Sequence, residues 1–262
     1  MRMIDVGSAG LHVRLDGPED GPAVVFSNSL GTDMRLWDPV LPLLPDGLRI
    51  IRYDKRGHGL SSCPPGRFSM GALVSDAETL LDALGVQNAV FVGLSIGGMI
   101  AQGLAVKRLD LVRAVVLSNT GAKIGTRDMW EDRIKAVEDR GIEALADTVM
   151  ERWFSSAFRA TPELQIWRNM LTRQPAEGYI GCSAAIAGTD FYTSTATLRL
   201  PALGIAGTED GSTPPDLVRE TVGLIPGSQF DLIRGTGHLP CVEKPDVYAA
   251  RLAAFLKDIG HI

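Results

Sequence analysis

Short apolar runs alternate with longer amphipathic stretches along most of the chain. The runs at 23–27, 48–53, 88–92, 114–118, 202–206 and 230–233 are rich in Val, Ile, Leu and Phe. Such unbroken apolar stretches read as strands buried on both faces, the pattern of a parallel sheet. Two weaker strands, at 2–6 and 11–15, open the chain. Between the runs, segments 34–44, 70–84, 98–106, 215–225 and 246–259 read as helices. Strand following helix in this order predicts an α/β fold, a mainly parallel sheet covered by helices.

Near Gly121 the alternation stops. From roughly 126 to 187 the pattern offers only helical stretches, at 127–140, 142–154, 162–173 and 176–187. An all-helical block between two strands of a parallel sheet predicts a four-helix lid over the sheet's C-terminal edge, where open α/β sheets bind ligands. The expected division is a core from residues 1–121 and 191–262, with a lid at 122–190.

Composition narrows the function classes. The net charge of −5 gives no electrostatic footprint for nucleic acid or an anionic membrane surface. Cys63, Cys182 and Cys241 are widely scattered, form no metal-ligand spacing and suggest free thiols in a reducing compartment. No apolar leader opens the sequence and no run is long enough to span a bilayer. The expectation is a cytoplasmic protein with no metal, no organic cofactor and no membrane partner.

The chemistry centres on Gly93-Leu94-Ser95-Ile96-Gly97, between the strand at 88–92 and the helix at 98–106. A serine on a sharp strand-to-helix turn projects its hydroxyl from the sheet edge, with a helix N-terminus behind it. A Cβ at either flanking glycine would collide with nearby backbone. Ser95 is therefore the candidate nucleophile, and it needs a base. Of four histidines, His12 lies in the opening hairpin and His261 in a tail expected to fray. His58 lies at the right edge, but between two glycines it suits a packed turn residue. His238, on the loop Gly235-Thr236-Gly237-His238-Leu239-Pro240 after the last strand, is the favoured base. An acid must orient it, and the loop after 202–206 offers Glu209 and Asp210. The shorter, stiffer Asp210 is preferred, in the chain order Ser, Asp, His. The oxyanion hole should use the Ile96 N–H and one from the loop after 23–27, Leu30 before Ser29.

These motifs resemble the α/β-hydrolase family: Ser95 in GLSIG, the turn YDKRGHGLSS, Asp210 in GTEDGSTPP and His238 in GTGHLP. More narrowly, FSNSLGTDMRLWD at 26–38 and GYIGCSAAIAGTD at 178–190 are similar to 3-oxoadipate enol-lactonases, Asn28-Ser29 replacing the wider family's His-Gly. The resemblance implies hydrolysis of a small unsaturated lactone in aromatic catabolism, through a Ser95–His238–Asp210 triad and an acyl-enzyme, without cofactor. Other esterases, carbon–carbon hydrolases, perhydrolases and hydrolase-like ligand receptors share the same motifs and stay open at this point.

The first lid helix can be placed on a wheel. Trp130, Ile134 and Val137 share one face, and Arg133, at about 300° from Trp130, is the only charge inside the apolar arc. A cation there either snorkels or pairs within the lid, or it binds the carboxylate of the substrate. Trp130 would wall the same pocket. Trp153 and Trp167 are expected in the lid core.

Overall fold

A computed structural model describes residues 1–262. Eight strands form one sheet: β1 (Arg2–Asp5), β2 (Gly10–Asp16), β3 (Ala23–Ser27), β4 (Arg49–Tyr53), β5 (Ala89–Leu94), β6 (Val112–Ser118), β7 (Ala202–Gly207) and β8 (Gln229–Ile233), in the order β1-β2-β4-β3-β5-β6-β7-β8. The β1/β2 and β2/β4 pairs are antiparallel, and all others are parallel. Every residue of β3 and β5 is buried, as their unbroken apolar runs require. Each Val, Leu, Ile or Phe so buried contributes about 1.5–3 kcal/mol of transfer free energy.

The helices are α1 (Met70–Ala83), α2 (Ile96–Lys107), α3 (Arg127–Arg140), α4 (Ala146–Trp153), α5 (Ser156–Arg159), α6 (Leu164–Thr172), α7 (Ala176–Ala187), α8 (Tyr192–Thr195), α9 (Pro215–Gly223), α10 (Pro240–Glu243) and α11 (Pro245–Asp258). None is long and apolar enough to cross a membrane. The α3 boundaries follow local chemistry. Thr126 accepts a hydrogen bond from the Met129 N–H at the start, and Gly141, at φ 75°, ends the helix.

Two expected helices come out differently. Residues 34–44 form single 3-10 turns, Met34–Trp37 and Leu41–Leu43, because Pro39 and Pro42 each remove a backbone donor. Residues 142–154 begin as a 3-10 turn at Ile142–Leu145 before α4 takes over. The one-turn helices α5, α8 and α10 are too short to carry a period. The tail is not frayed: His261 is buried, its Nε2 lying 3.0 Å from the Ala23 carbonyl at the start of β3.

Between β6 and β7 the chain is helical, from α3 to α8, and this block is tied to the core by backbone contacts. At one side Gly57 and Gly178 meet face to face. A Cβ on Gly178 would lie 1.9 Å from the Gly57 carbonyl oxygen, and one on Gly57 would lie 2.4 Å from the Gly178 Cα. Close by, Phe68 N–H donates to the Gly181 carbonyl at 3.1 Å. At the other side the last carbonyls of α4 find partners in the core. Gly211 N–H donates to Arg152 O at 3.1 Å, and His238 N–H donates to Trp153 O at 2.8 Å. Carbonyls that a helix end leaves open are thus satisfied by two loops at the sheet's C-terminal edge.

The glycine contact makes a direct prediction. Gly178→Ala should destabilise the protein by about 1–3 kcal/mol, since neither backbone can yield without parting α7 from the core. Gly188→Ala is the control: its Cβ would meet nothing nearer than 3.6 Å, so its cost should stay within about 0.5 kcal/mol. Urea unfolding of the two variants measures the difference.

Candidate active site

Ser95 sits on the turn between β5 and α2 with φ 58° and ψ −119°, a conformation L-residues avoid. The surroundings enforce it. Ser95 N–H donates to Ser118 O at 3.0 Å, and Thr120 Oγ1 donates to Ser95 O at 2.6 Å. A Cβ on Gly93 would lie 2.2 Å from the Gly97 carbonyl oxygen, and one on Gly97 2.1 Å from that of Ser27. Both flanking glycines are therefore fixed by backbone packing, and the side chain of Ser95 is driven outward at the N-terminus of α2.

His238 lies across the cavity from this turn. Its Nδ1–H donates to Asp210 Oδ2 at 2.9 Å, leaving Nε2 as the ring's acceptor nitrogen. Asp210 is saturated. Oδ2 also accepts from Asn119 Nδ2 at 2.8 Å and Thr213 Oγ1 at 2.7 Å, while Oδ1 accepts the Ser212 and Thr213 N–H groups. Burial alone would push the Asp210 carboxyl up. The adjoining His238, the Asn119 amide and the Thr213 N–H outweigh it and hold the group below the usual carboxylate range. Glu209 turns away and accepts from the Ser156 N–H at 3.3 Å. The structure thus brings Ser95, His238 and Asp210 to one edge. Ser95 Oγ itself makes no hydrogen bond, and His238 Nε2 is 3.4 Å from Ser29 Oγ.

The other histidines are engaged elsewhere. His12 Nδ1 is 2.8 Å from Asp54 Oδ2. His58 is buried, and its Nε2 accepts the Gly31 N–H at 2.9 Å. Burial and the nearby Lys55 charge push the His58 imidazole well below its ordinary range, which keeps it a neutral acceptor. The N–H groups of Leu30, Ser29 and Ile96 have no acceptor in the chain. Ser29 and Leu30 line the cavity beside Ser95, so donors stand ready where an oxyanion would develop.

The cavity encloses about 70 Å³ and is walled by Ile124 from the segment before α3 and by Trp130, Trp153 and Tyr179 from the helical block. Larger hollows, beside Phe68 and Phe191 and beside His12 and Arg52, bring no nucleophile and histidine together. Arg133 reaches the cavity half-buried. Its guanidinium carbon lies 5.4 Å from the Trp130 ring centre and 6.0 Å from that of Tyr179, with no carboxylate partner in the chain. Trp130 donates its indole N–H to Ile124 O at 2.6 Å. Trp167 is buried against Phe154, whereas Trp153 is both buried and cavity-lining.

Sequence reasoning missed three contributors. Arg152, exposed at the end of α4, also lines the cavity without a carboxylate partner, and nothing in its local pattern separates it from other surface cations. Asn119 and Thr213 reach Asp210 only through the fold. For Asn119 a signal existed: the polar turn Ser118-Asn119-Thr120-Gly121 follows a strand ending at the same edge as Ser95, and Asn119 has φ 44°.

Comparison with known proteins fits this geometry. 3-Oxoadipate enol-lactonase 1 of Acinetobacter baylyi is 34% identical over 251 residues, 95% of this chain and 94% of that protein. The crystal structure of the enol-lactonase from Burkholderia xenovorans LB400 superposes with a TM-score of 0.94 at 34% identity, covering 98% of this chain and all of the other. A thermophilic esterase from Thermogutta terrifontis, solved with malate bound, gives 0.92 at 27% identity with 99% of each chain covered. The sequence model of the alpha/beta hydrolase family matches residues 24–251. Strand order, Ser95 turn and sequence agree, and the chain belongs to the alpha/beta hydrolase family.

Proposed function

We propose that the protein hydrolyses 3-oxoadipate enol-lactone to 3-oxoadipate through a Ser95–His238–Asp210 triad, with residues 122–190 as a lid. One observation carries this reading: Ser95 and His238 face a small cavity lined by two arginines without carboxylate partners. Likeness to the enol-lactonases supports the choice of ring. In the reaction, His238 Nε2 takes the Ser95 proton as Oγ bonds to the lactone carbonyl carbon. The Leu30 and Ile96 N–H groups hold the resulting oxyanion. Collapse breaks the bond between that carbon and the ring oxygen. The enol leaves, takes the proton from His238 and tautomerises to the ketone, which removes it from the reverse reaction. Water, deprotonated by His238, then attacks the acyl-enzyme and frees the acid and Ser95.

The lactone carries one free carboxylate. Arg133 is proposed to bind it, with Trp130 walling the site and Arg152, at the end of α4, adding positive field. A free guanidinium beside aromatic faces is only partly hydrated, so an arriving carboxylate replaces little water there. The small volume selects against bulky esters.

Ser95→Ala and His238→Ala should each lower kcat by about 10⁴–10⁶, and the double variant little further, since both act in one step. Steady-state assays on enol-lactone decide it, and near-normal rates in either single variant end the triad assignment. Asp210→Asn should lose about 10⁴ in kcat, whereas Glu209→Gln should stay within about tenfold, its charge being exposed and screened. The reverse ranking would move the acid to Glu209. Arg133→Met keeps the apolar stem and should lower kcat/KM for enol-lactone about ten- to a hundredfold, the worth of a charge-assisted hydrogen bond. Hydrolysis of neutral 4-nitrophenyl acetate should be unaffected. Equal losses on both substrates would mean that Arg133 holds the lid instead.

A further inference from the structure

The buried ammonium of Lys55 has no part in the reaction as described so far, and it has no carboxylate partner. It is 2% exposed, on the turn after β4. Its Nζ donates to Ser29 O at 2.6 Å and approaches Asn28 O and Thr32 O at 3.4 Å each. All three acceptors belong to the loop after β3 that carries the Leu30 N–H. Burying a cation on neutral carbonyls is costly, and a neutral donor would hold the loop more cheaply. The charge therefore calls for another explanation.

The peptide between Ser29 and Leu30 supplies one. Its carbonyl is the atom Lys55 grips, and its N–H is the proposed oxyanion donor. No peptide bond in the chain is cis, so this C=O and N–H point in opposite directions, the first toward Lys55 and the second away from it. We propose that Lys55 is a positioning residue for ester hydrolysis: its ammonium orients and polarises the Ser29–Leu30 peptide, making the Leu30 N–H a stronger and better-aimed donor to the oxyanion. Hydrogen bonds in series strengthen one another in this way. Thr32 assists, its Oγ1 donating to the same Ser29 O at 2.9 Å. The next peptide is held independently, Gly31 N–H donating to His58 Nε2.

The charge is available at neutral pH. Burial pulls the Lys55 amine down to about 8, while the Asp54 and Asp33 carboxylates nearby partly offset that loss. His58, which also faces Lys55, is held well below its ordinary range by burial and by the Lys55 charge, and stays neutral.

The inference rests on the proposed serine hydrolysis but not on the lactone, so 4-nitrophenyl acetate serves as substrate beside enol-lactone. Lys55→Met removes the charge and keeps the stem. Expected is a fall in kcat of about ten- to a hundredfold on both substrates, less than the loss of a whole oxyanion donor, with KM within about threefold. Inhibition by phenylboronic acid, whose tetrahedral serine adduct places an oxygen in the hole, should weaken in parallel with kcat. Thr32→Val removes one hydrogen bond to Ser29 O, and a three- to tenfold fall in kcat at constant KM is expected, roughly the worth of one neutral hydrogen bond. It decides the matter should Lys55→Met not fold. Unchanged kcat and unchanged boronate affinity in a folded Lys55→Met, or unchanged kcat in Thr32→Val, would overturn the proposal. Failure of the hydrolase reading would look different, as wild-type protein inert toward both esters.

Discussion

The backbone at Ser95 is the constraint on which the rest of the site depends. A non-glycine residue at φ 58° is strained, and the strain persists because β5, the turn and α2 pass too close for any other course. Once the turn is set, Ser95 stands at the start of α2 with the Ile96 N–H directly after it. Everything else approaches that point from neighbouring strand ends: the Leu30 loop from β3, Asn119 from β6, Asp210 from β7 and His238 from β8. The sheet order places these ends side by side. No site element has to reach across the molecule.

Saturation of Asp210 is the second organising feature. Five donors on two carboxylate oxygens hold it ionised and immobile, and that immobility passes to the imidazole through Nδ1. The loop after β3 is braced in a comparable manner, from outside by Lys55 and His58 and from within by Thr32. Preorganisation here is a matter of backbone and acceptor geometry, and the hydrophobic core supplies the rigid frame on which it stands.

Much of this was legible in the residues. Apolar runs at 23–27, 88–92 and 114–118 read as doubly buried strands, and GLSIG between strand and helix put Ser95 at the sheet edge. Asp210 separated from Glu209 by the length of its side chain, and the fold puts it on His238. What local sequence could not carry was contact at long separation. Asn119 and Asp210 are 91 residues apart, and Arg152 lines the cavity because α4 ends above the acid loop. Periodicity failed for a different reason at 34–44, where Pro39 and Pro42 override an apolar pattern that suits a helix. His261 was misjudged because position in the chain says little about burial.

The end of α4 gives its two last carbonyls to Gly211 and His238. The last turn of α4 is therefore shared with the loops that carry Asp210 and His238. Short helix ends are among the first parts of a protein to open, well before a doubly buried sheet. Fraying of that single turn would release the His238 backbone while the eight strands stayed intact. On the proposed triad, opening of that one turn would disable the site before the sheet melts, so loss of hydrolysis on heating would precede global unfolding.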